Sequence, residues 1–196
     1  MQEEKFHYVG LDISTKCCGI SIFNQDKKLV LLTHVNPKVE KKLFTNDEYI
    51  LYEKKRVVVN YLDDKFSEYN VKKVFIESPL MASNNQFTII KLAKFNTLIS
   101  NYLYERGYEV QHITEHEARK NFFPEFIIEK KVKGETQRVL SFPKDADKKE
   151  IVWNKVATLE PFVDWVRDTK GKLKVENFDM ADSYVVAYAG MEKKMK

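Results

Sequence analysis

The sequence predicts an α/β protein: a five-stranded mixed sheet, three antiparallel strands followed by two parallel ones, flanked by helices. Two observations carry this. Residues 6–35 hold three short apolar runs separated by tight turns, the pattern of consecutive antiparallel strands. After them, apolar residues at helical spacing alternate with two further short apolar runs. That strand–helix–strand order implies parallel pairing through right-handed crossovers.

The first strand runs from Phe6 to about Ser14, the second is Gly19 to Phe23, and the third is Leu29 to Leu32 after the turn at residues 24–27. From Asp47 to about Tyr69, residues Ile50, Leu51, Val57, Val58, Tyr61, Leu62 and Phe66 recur at helical spacing, with Asn46 as the N-cap. Val74-Phe75-Ile76-Glu77 is the fourth strand. A helix from about Asn85 to Glu105 follows, with Ile89, Leu92, Ala93, Ile99 and Leu103 on one face and Gly107 as its stop. Tyr108 to Ile113 reads as the fifth strand. Beyond it lie a short helix at about 115–121, an irregular or hairpin stretch at 123–144, and helices at about 147–159 and 178–192.

The chain has 196 residues, long enough for one domain with a substantial core and short for two. A single domain over 1–196 with a basic insertion at 123–144 is the expected organisation. Hydrophobic residues make up 43% and charged residues 32%, a globular rather than a disordered composition. The formal net charge of +4 permits a nucleic-acid partner without demanding one. Its distribution is more telling, because seven Lys or Arg face three Asp or Glu between Lys130 and Lys149. The charged first residues do not read as a signal peptide, and no apolar run nears the ~20 residues of a membrane span, so a cytoplasmic protein without membrane contact is expected. The two cysteines, Cys17 and Cys18, are adjacent, which strains any disulfide between them; half-buried free thiols are the expectation.

Four acids stand where a buried carboxylate is hard to justify. Asp12 interrupts the apolar run of the first strand, Glu77 ends the fourth, and Asp179 and Asp182 share one face of the last helix. The carboxyl ends of strands in an open α/β sheet form a crevice that Asp12 and Glu77 would line. Like charges gathered there raise one another's pKa values and need an offset, which hard divalent cations supply. Taken singly, Asp179 could serve the helix dipole and Glu77 could cap the Ser-Pro turn. Taken together, the four favour a metal site.

These motifs resemble a known family. Gly10-Leu11-Asp12-Ile13-Ser14 followed by Gly19-Ile20-Ser21, then Phe75-Ile76-Glu77, then Asp179-Met180-Ala181-Asp182-Ser183 look like the acidic motifs of RuvC-type Holliday-junction resolvases, which are RNase H-like nucleases. The resemblance runs through nearly the whole chain in the family's order. It implies an RNase H-like fold, with Asp12, Glu77, Asp179 and Asp182 as ligands of two Mg2+ ions for which Mn2+ can substitute. It implies a crossover junction endonuclease: activated water attacks phosphorus in line, leaving a 3′-hydroxyl and a 5′-phosphate. Ala146-Asp147-Lys148-Lys149 resembles the family's lysine-bearing segment, which makes Lys148 the expected stabiliser of the scissile phosphate; a solvated lysine is the competing reading. Leu80, Met81, Ala82 and Asn84 are similar to the family's loop at the junction branch point, with Leu80 where the family has an aromatic residue. An apolar wedge is retained there and stacking is lost.

Further expected DNA contacts are Lys91 and Lys94 on the helix after Glu77, Arg119 and Lys120 after the fifth strand, and Lys130, Lys131, Lys133, Arg138 and Lys144 in the insertion. Cutting a two-fold symmetric four-way junction calls for two sites and so for a homodimer, with the apolar face of the helix after Glu77 as the interface. The lysine-rich, divergent sequence fits a phage or viral resolvase in a host cytoplasm. The competing classes are a broader branched-DNA or flap nuclease, a non-catalytic junction-binding protein, and an actin-like ATPase. The last is disfavoured by a total of six glycines, too few for phosphate-binding loops.

Overall fold

The computed structural model describes residues 5–40, 42, 46–79, 85–132 and 135–193. Strands β1 (His7–Ile13), β2 (Cys18–Asn24) and β3 (Leu29–Val35) form an antiparallel meander. Helix α1 (Asp47–Ser67) leads to β4 (Val71–Glu77), and α2 (Gln86–Glu105) leads to β5 (Glu109–Ile113). The sheet order is β3-β2-β1-β4-β5, with β1 paired antiparallel to β2 and parallel to β4. Then come α3 (Glu115–Phe122), a hairpin of β6 (Ile127–Val132) and β7 (Glu135–Leu140), α4 (Lys148–Leu159) and α5 (Glu176–Glu192).

Strand alternation divides the sheet into two buried faces. On one face Val9, Leu11, Ile13, Val74 and Ile76 pack against Leu51, Val58 and Leu62 of α1 and Phe95, Ile99 and Leu103 of α2. On the other, Phe23 and Phe75 meet Ala118 and Phe122 of α3, Val152 and Val156 of α4, and Ala181 and Val185 of α5. Local signals agree with these elements. Side-chain oxygens of Asn46, Asn85, Thr114 and Asp147 accept backbone N–H groups in the first turns of α1, α2, α3 and α4. Within residues 123–144, where the sequence allows an irregular stretch or a hairpin, β6 and β7 pair as a hairpin. Its base is held by Phe123, Phe126 and Phe142, whose ring centroids lie 5.1–5.7 Å apart.

Helix α5 is apolar on nearly every side, as a helix enclosed by its own protein must be. It lies against β1 and β2 at backbone distance. A Cβ on Gly10 would fall 2.2 Å from the Ser183 carbonyl oxygen, and one on Gly19 would fall 1.9 Å from that of Asp179. Ser21 Oγ, fully buried on β2, donates to the Ser183 carbonyl at 2.9 Å and ties the same contact with a hydrogen bond. The thiols of Cys17 and Cys18 are free and buried rather than half-buried: Cys17 bonds to Asp179 of α5, and Cys18 packs on the opposite face in the core beneath α1 and α2.

The backbone contact sets a testable limit. Gly19→Ala forces α5 off the sheet and should cost about 3 kcal/mol, read as a shift of the urea midpoint. A midpoint like that of the parent protein would show that α5 can retreat freely.

Candidate metal centre

The register of β1 and β4 brings Asp12 and Glu77 together. Gly10 stands beside Phe75 and Leu11 beside Ile76, so the next step along both strands carries the two acids at the carboxyl ends of the sheet. Both point to the α5 face, because Leu11 and Ile76 point to the other. Helix α5 then lays Asp179 and Asp182, three residues apart, over the same crevice. The four acids line one cleft of about 280 Å³, closed on its other sides by Ser14, Pro79, Leu92, Glu115, Arg119 and Lys149.

Burial sets the electrostatics. It lifts the Asp12 carboxyl well above the usual range, and Glu77, Asp182 and Asp179 push it further. Burial raises Glu77 to about 8, with Asp182 and Glu115 adding to the rise and Arg119 and Lys149 opposing it. Asp182 and Asp179 are also raised, first by burial. Arg119 moderates the rise at Asp182, and a hydrogen bond from the Cys17 thiol together with Lys149 moderates it at Asp179. The donors are all hard carboxylate oxygens, the chemistry that Mg2+ and Mn2+ take. In chemical type the set therefore fits divalent cations. Its present rotamers serve other partners: among the described residues, no group of three or more His, Cys, Asp or Glu is arranged to hold one ion. Asp182 faces Arg119 and Asp179 faces Cys17.

The structure places two expected residues differently and adds three more. The lysine that lines the acid cleft is Lys149, not Lys148; Lys148 lines the neighbouring cleft. One residue along a helix turns a side chain by about 100°, so a motif at a helix start leaves that choice open. Arg119 belongs to the acid site and not to a basic surface rim. Its side chain is 10% exposed, ion-paired to Glu115 and 3.3 Å from Asp182. Glu115 is a fifth acid lining the cleft. It stands just beyond β5, at the same end of the sheet, which was the available signal. Asn96, buried on α2, donates to the Glu77 carbonyl at 2.9 Å and anchors the end of β4. No spacing rule marks an asparagine for that role.

The remaining expected DNA contacts are dispersed. Lys91 and Lys94 reach across to α1, with Lys91 3.4 Å from Asp47 and Lys94 2.6 Å from Glu48. Lys120 donates to the Arg138 carbonyl at 2.9 Å, linking α3 to the hairpin. Lys130, Lys131, Arg138 and Lys144 are exposed on and beside the hairpin, with Arg138 opposite Glu129. Leu80, Met81, Ala82, Asn84 and Lys133 lie outside the described residues.

Thermus thermophilus RuvC in complex with a Holliday junction substrate aligns at TM-score 0.58 and 10% identity, over 94% of this chain and 91% of that one. The fold is that of the RuvC-type resolvases. A second structure of Thermus thermophilus RuvC gives TM-score 0.53 and 12% identity, over 94% of this chain and 92% of that one. The yeast mitochondrial Holliday junction resolvase Ydc2 gives 0.58 and 12%, over 94% of this chain and 77% of that one. No protein-family model matches the sequence, and no curated protein matches it. Among the described residues, no helix is long and apolar enough to cross a membrane.

The raised acids predict an inverted pH dependence of stability. A carboxyl whose folded pKa exceeds its unfolded value of ~4.3 binds more protons when folded, so its contribution is full below that value and is lost as pH rises through about 8. In chelator, Glu77→Gln should therefore raise the melting temperature at pH 8.5 by roughly 5 °C, and by much less at pH 5. Equal effects at both pH values would contradict the raised pKa.

Proposed function

We propose that this protein is a divalent-metal-dependent endonuclease that resolves four-way DNA junctions. One observation carries the reading: four carboxylates converge at the carboxyl ends of β1 and β4, where the packing of α5 leaves Asp182 buried and the other three partly buried. A binding module has no use for so costly an arrangement. The shared fold with proteins that act on Holliday junctions supports the branched-DNA substrate, and the exposed lysines around the hairpin supply phosphate-neutralising charge.

On this reading Asp12, Glu77, Asp179 and Asp182 hold two Mg2+ ions. Bound there, the ions would neutralise the scissile phosphodiester and lower the pKa of the attacking water. The chain's own groups do the rest. Lys149 faces the acids and offers its ammonium to a phosphate oxygen as charge develops. Asn96 and Ser21 fix the backbone at Glu77 and α5, so the acids are positioned before substrate arrives. Pro79 and Leu92 supply apolar wall to the cleft.

Resolution of a symmetric junction needs two such sites, hence a homodimer. Helix α2 carries the candidate face. Its Ile99 and Leu103 are used in the core, whereas Phe87 is 86% exposed and Ile90 53%. Light scattering should give a dimer for the parent protein and a monomer for Phe87→Glu with Ile90→Glu. A dimer in both would move the interface elsewhere.

The activity test compares a labelled four-way junction with matched flap and linear duplex, with and without Mg2+. The expected result is Mg2+-dependent paired cuts in the junction, with Asp12→Asn slowing them at least about 100-fold. Equal cutting of flaps would assign a broader branched-DNA nuclease. Unchanged cutting by Asp12→Asn would refute the metal site.

A further inference from the structure

Arg119 stands between two clefts. On one side is the acid cleft. On the other is a cavity of about 400 Å³ formed by α3, the end of the hairpin and the start of α4, lined by His116, Leu140, Ser141, Phe142 and Lys148. Glu115 and Arg119, one helical turn apart on α3, line both. The guanidinium is buried, at 8% exposure for the residue, yet it is incompletely used. Nη1 pairs with Glu115, Nη2 reaches Asp182 at 3.3 Å, and Nε has no partner among the described residues. A charge-assisted bond is ordinarily nearer 2.8 Å, so the Asp182 contact is loose. A buried donor without a partner is a standing cost.

The second cleft carries groups that suit an anion. Lys148 projects into it with no ion pair among the described residues, and His116 and Ser141 add further polar groups. Its one acid, Glu115, is already covered by Arg119. The hydrophobic side, Leu140 and Phe142, leaves room for a sugar or base beside a phosphate. The two clefts share a wall, formed by Glu115 and Arg119.

We propose that the second cleft is a subsite for the backbone phosphate adjoining the scissile one, bound by Lys148 and Arg119. Arg119 is also the latch of the acid site. Without metal it offsets the charge of Asp182; when divalent ions take over that carboxylate, the guanidinium turns its freed N–H groups to the phosphate. Metal and DNA binding thereby reinforce each other, and the coupling is reciprocal. The absence of a ready three-ligand group among the described residues is consistent with a latched state. The inference rests on the nuclease reading and adds a residue pair and a substrate atom to it.

Two measurements test it on the full chain. In the first, Mn2+ binding to the DNA-free protein is followed by electron paramagnetic resonance. Arg119→Gln removes a competing cation, so Mn2+ should bind several-fold tighter; unchanged or weaker binding by a variant that melts like the parent overturns the latch. In the second, single-turnover cleavage is titrated with junctions carrying one neutral methylphosphonate at each position flanking the cut. Lys148→Ala, an exposed change that leaves folding intact, should raise the half-saturating concentration about tenfold with little change in maximal rate. At one flanking position the neutral linkage should impose the same loss, and Lys148→Ala should add nothing further. Additive losses at every position overturn the subsite while leaving the nuclease reading in place. Failure of the parent protein to cut any branched DNA overturns both readings.

Discussion

Helix α5 touches the sheet at backbone distance because Gly10 and Gly19 leave no side chain in the way, and the site follows from that contact. Were either residue larger, α5 would ride higher, and Asp179 and Asp182 would leave the crevice that Asp12 and Glu77 define. The same closeness buries the Ser21–Ser183 hydrogen bond and brings the Cys17 thiol to Asp179, so the packing that stabilises the fold is also what partly shields the acids from water. Fold stability and site charge are therefore opposed at a single interface.

The protein offsets that opposition only in part. Lys149 and Arg119 lower the cost of ionising the cluster, and Cys17 donates to Asp179, yet every one of the four acids remains raised. One buried cation, Arg119, and one exposed cation, Lys149, against five carboxylates leave an electrostatic deficit that a pair of divalent ions would fill. Such incomplete compensation is the usual mark of a functional site held at the expense of stability. It also explains why Arg119 is buried in a region that would otherwise reject a charge.

Much of this was legible beforehand because it rests on period and order. Alternation in β1 and β4 places Asp12 and Glu77 on one face at one end of the sheet, and three-residue spacing does the same for Asp179 and Asp182. Turn and cap residues such as Asn46, Asn85 and Asp147 mark helix starts within a residue or two. What was not legible depends on rotation and on contacts across elements. The exchange of Lys148 for Lys149 is one step around a helix whose phase is set by Val152 and Val156 seating in the core. Arg119 reads as a surface cation in a charged run, and only the packing of α3 against α5 turns it inward. Asn96 works through a backbone carbonyl, which leaves no trace in side-chain pattern.

The central claim is that the four acids, all held above the usual carboxylate range, form a cation-seeking cluster, and it can be measured without DNA. Mg2+ or Mn2+ is titrated into weakly buffered, metal-free protein near pH 7 while proton release is followed by an indicator dye. Because metal ligation requires ionised carboxylates, binding should expel protons, and both the binding and the release should fall sharply in Asp12→Asn. Binding that releases no protons, or a parent protein that binds neither ion, would contradict the account.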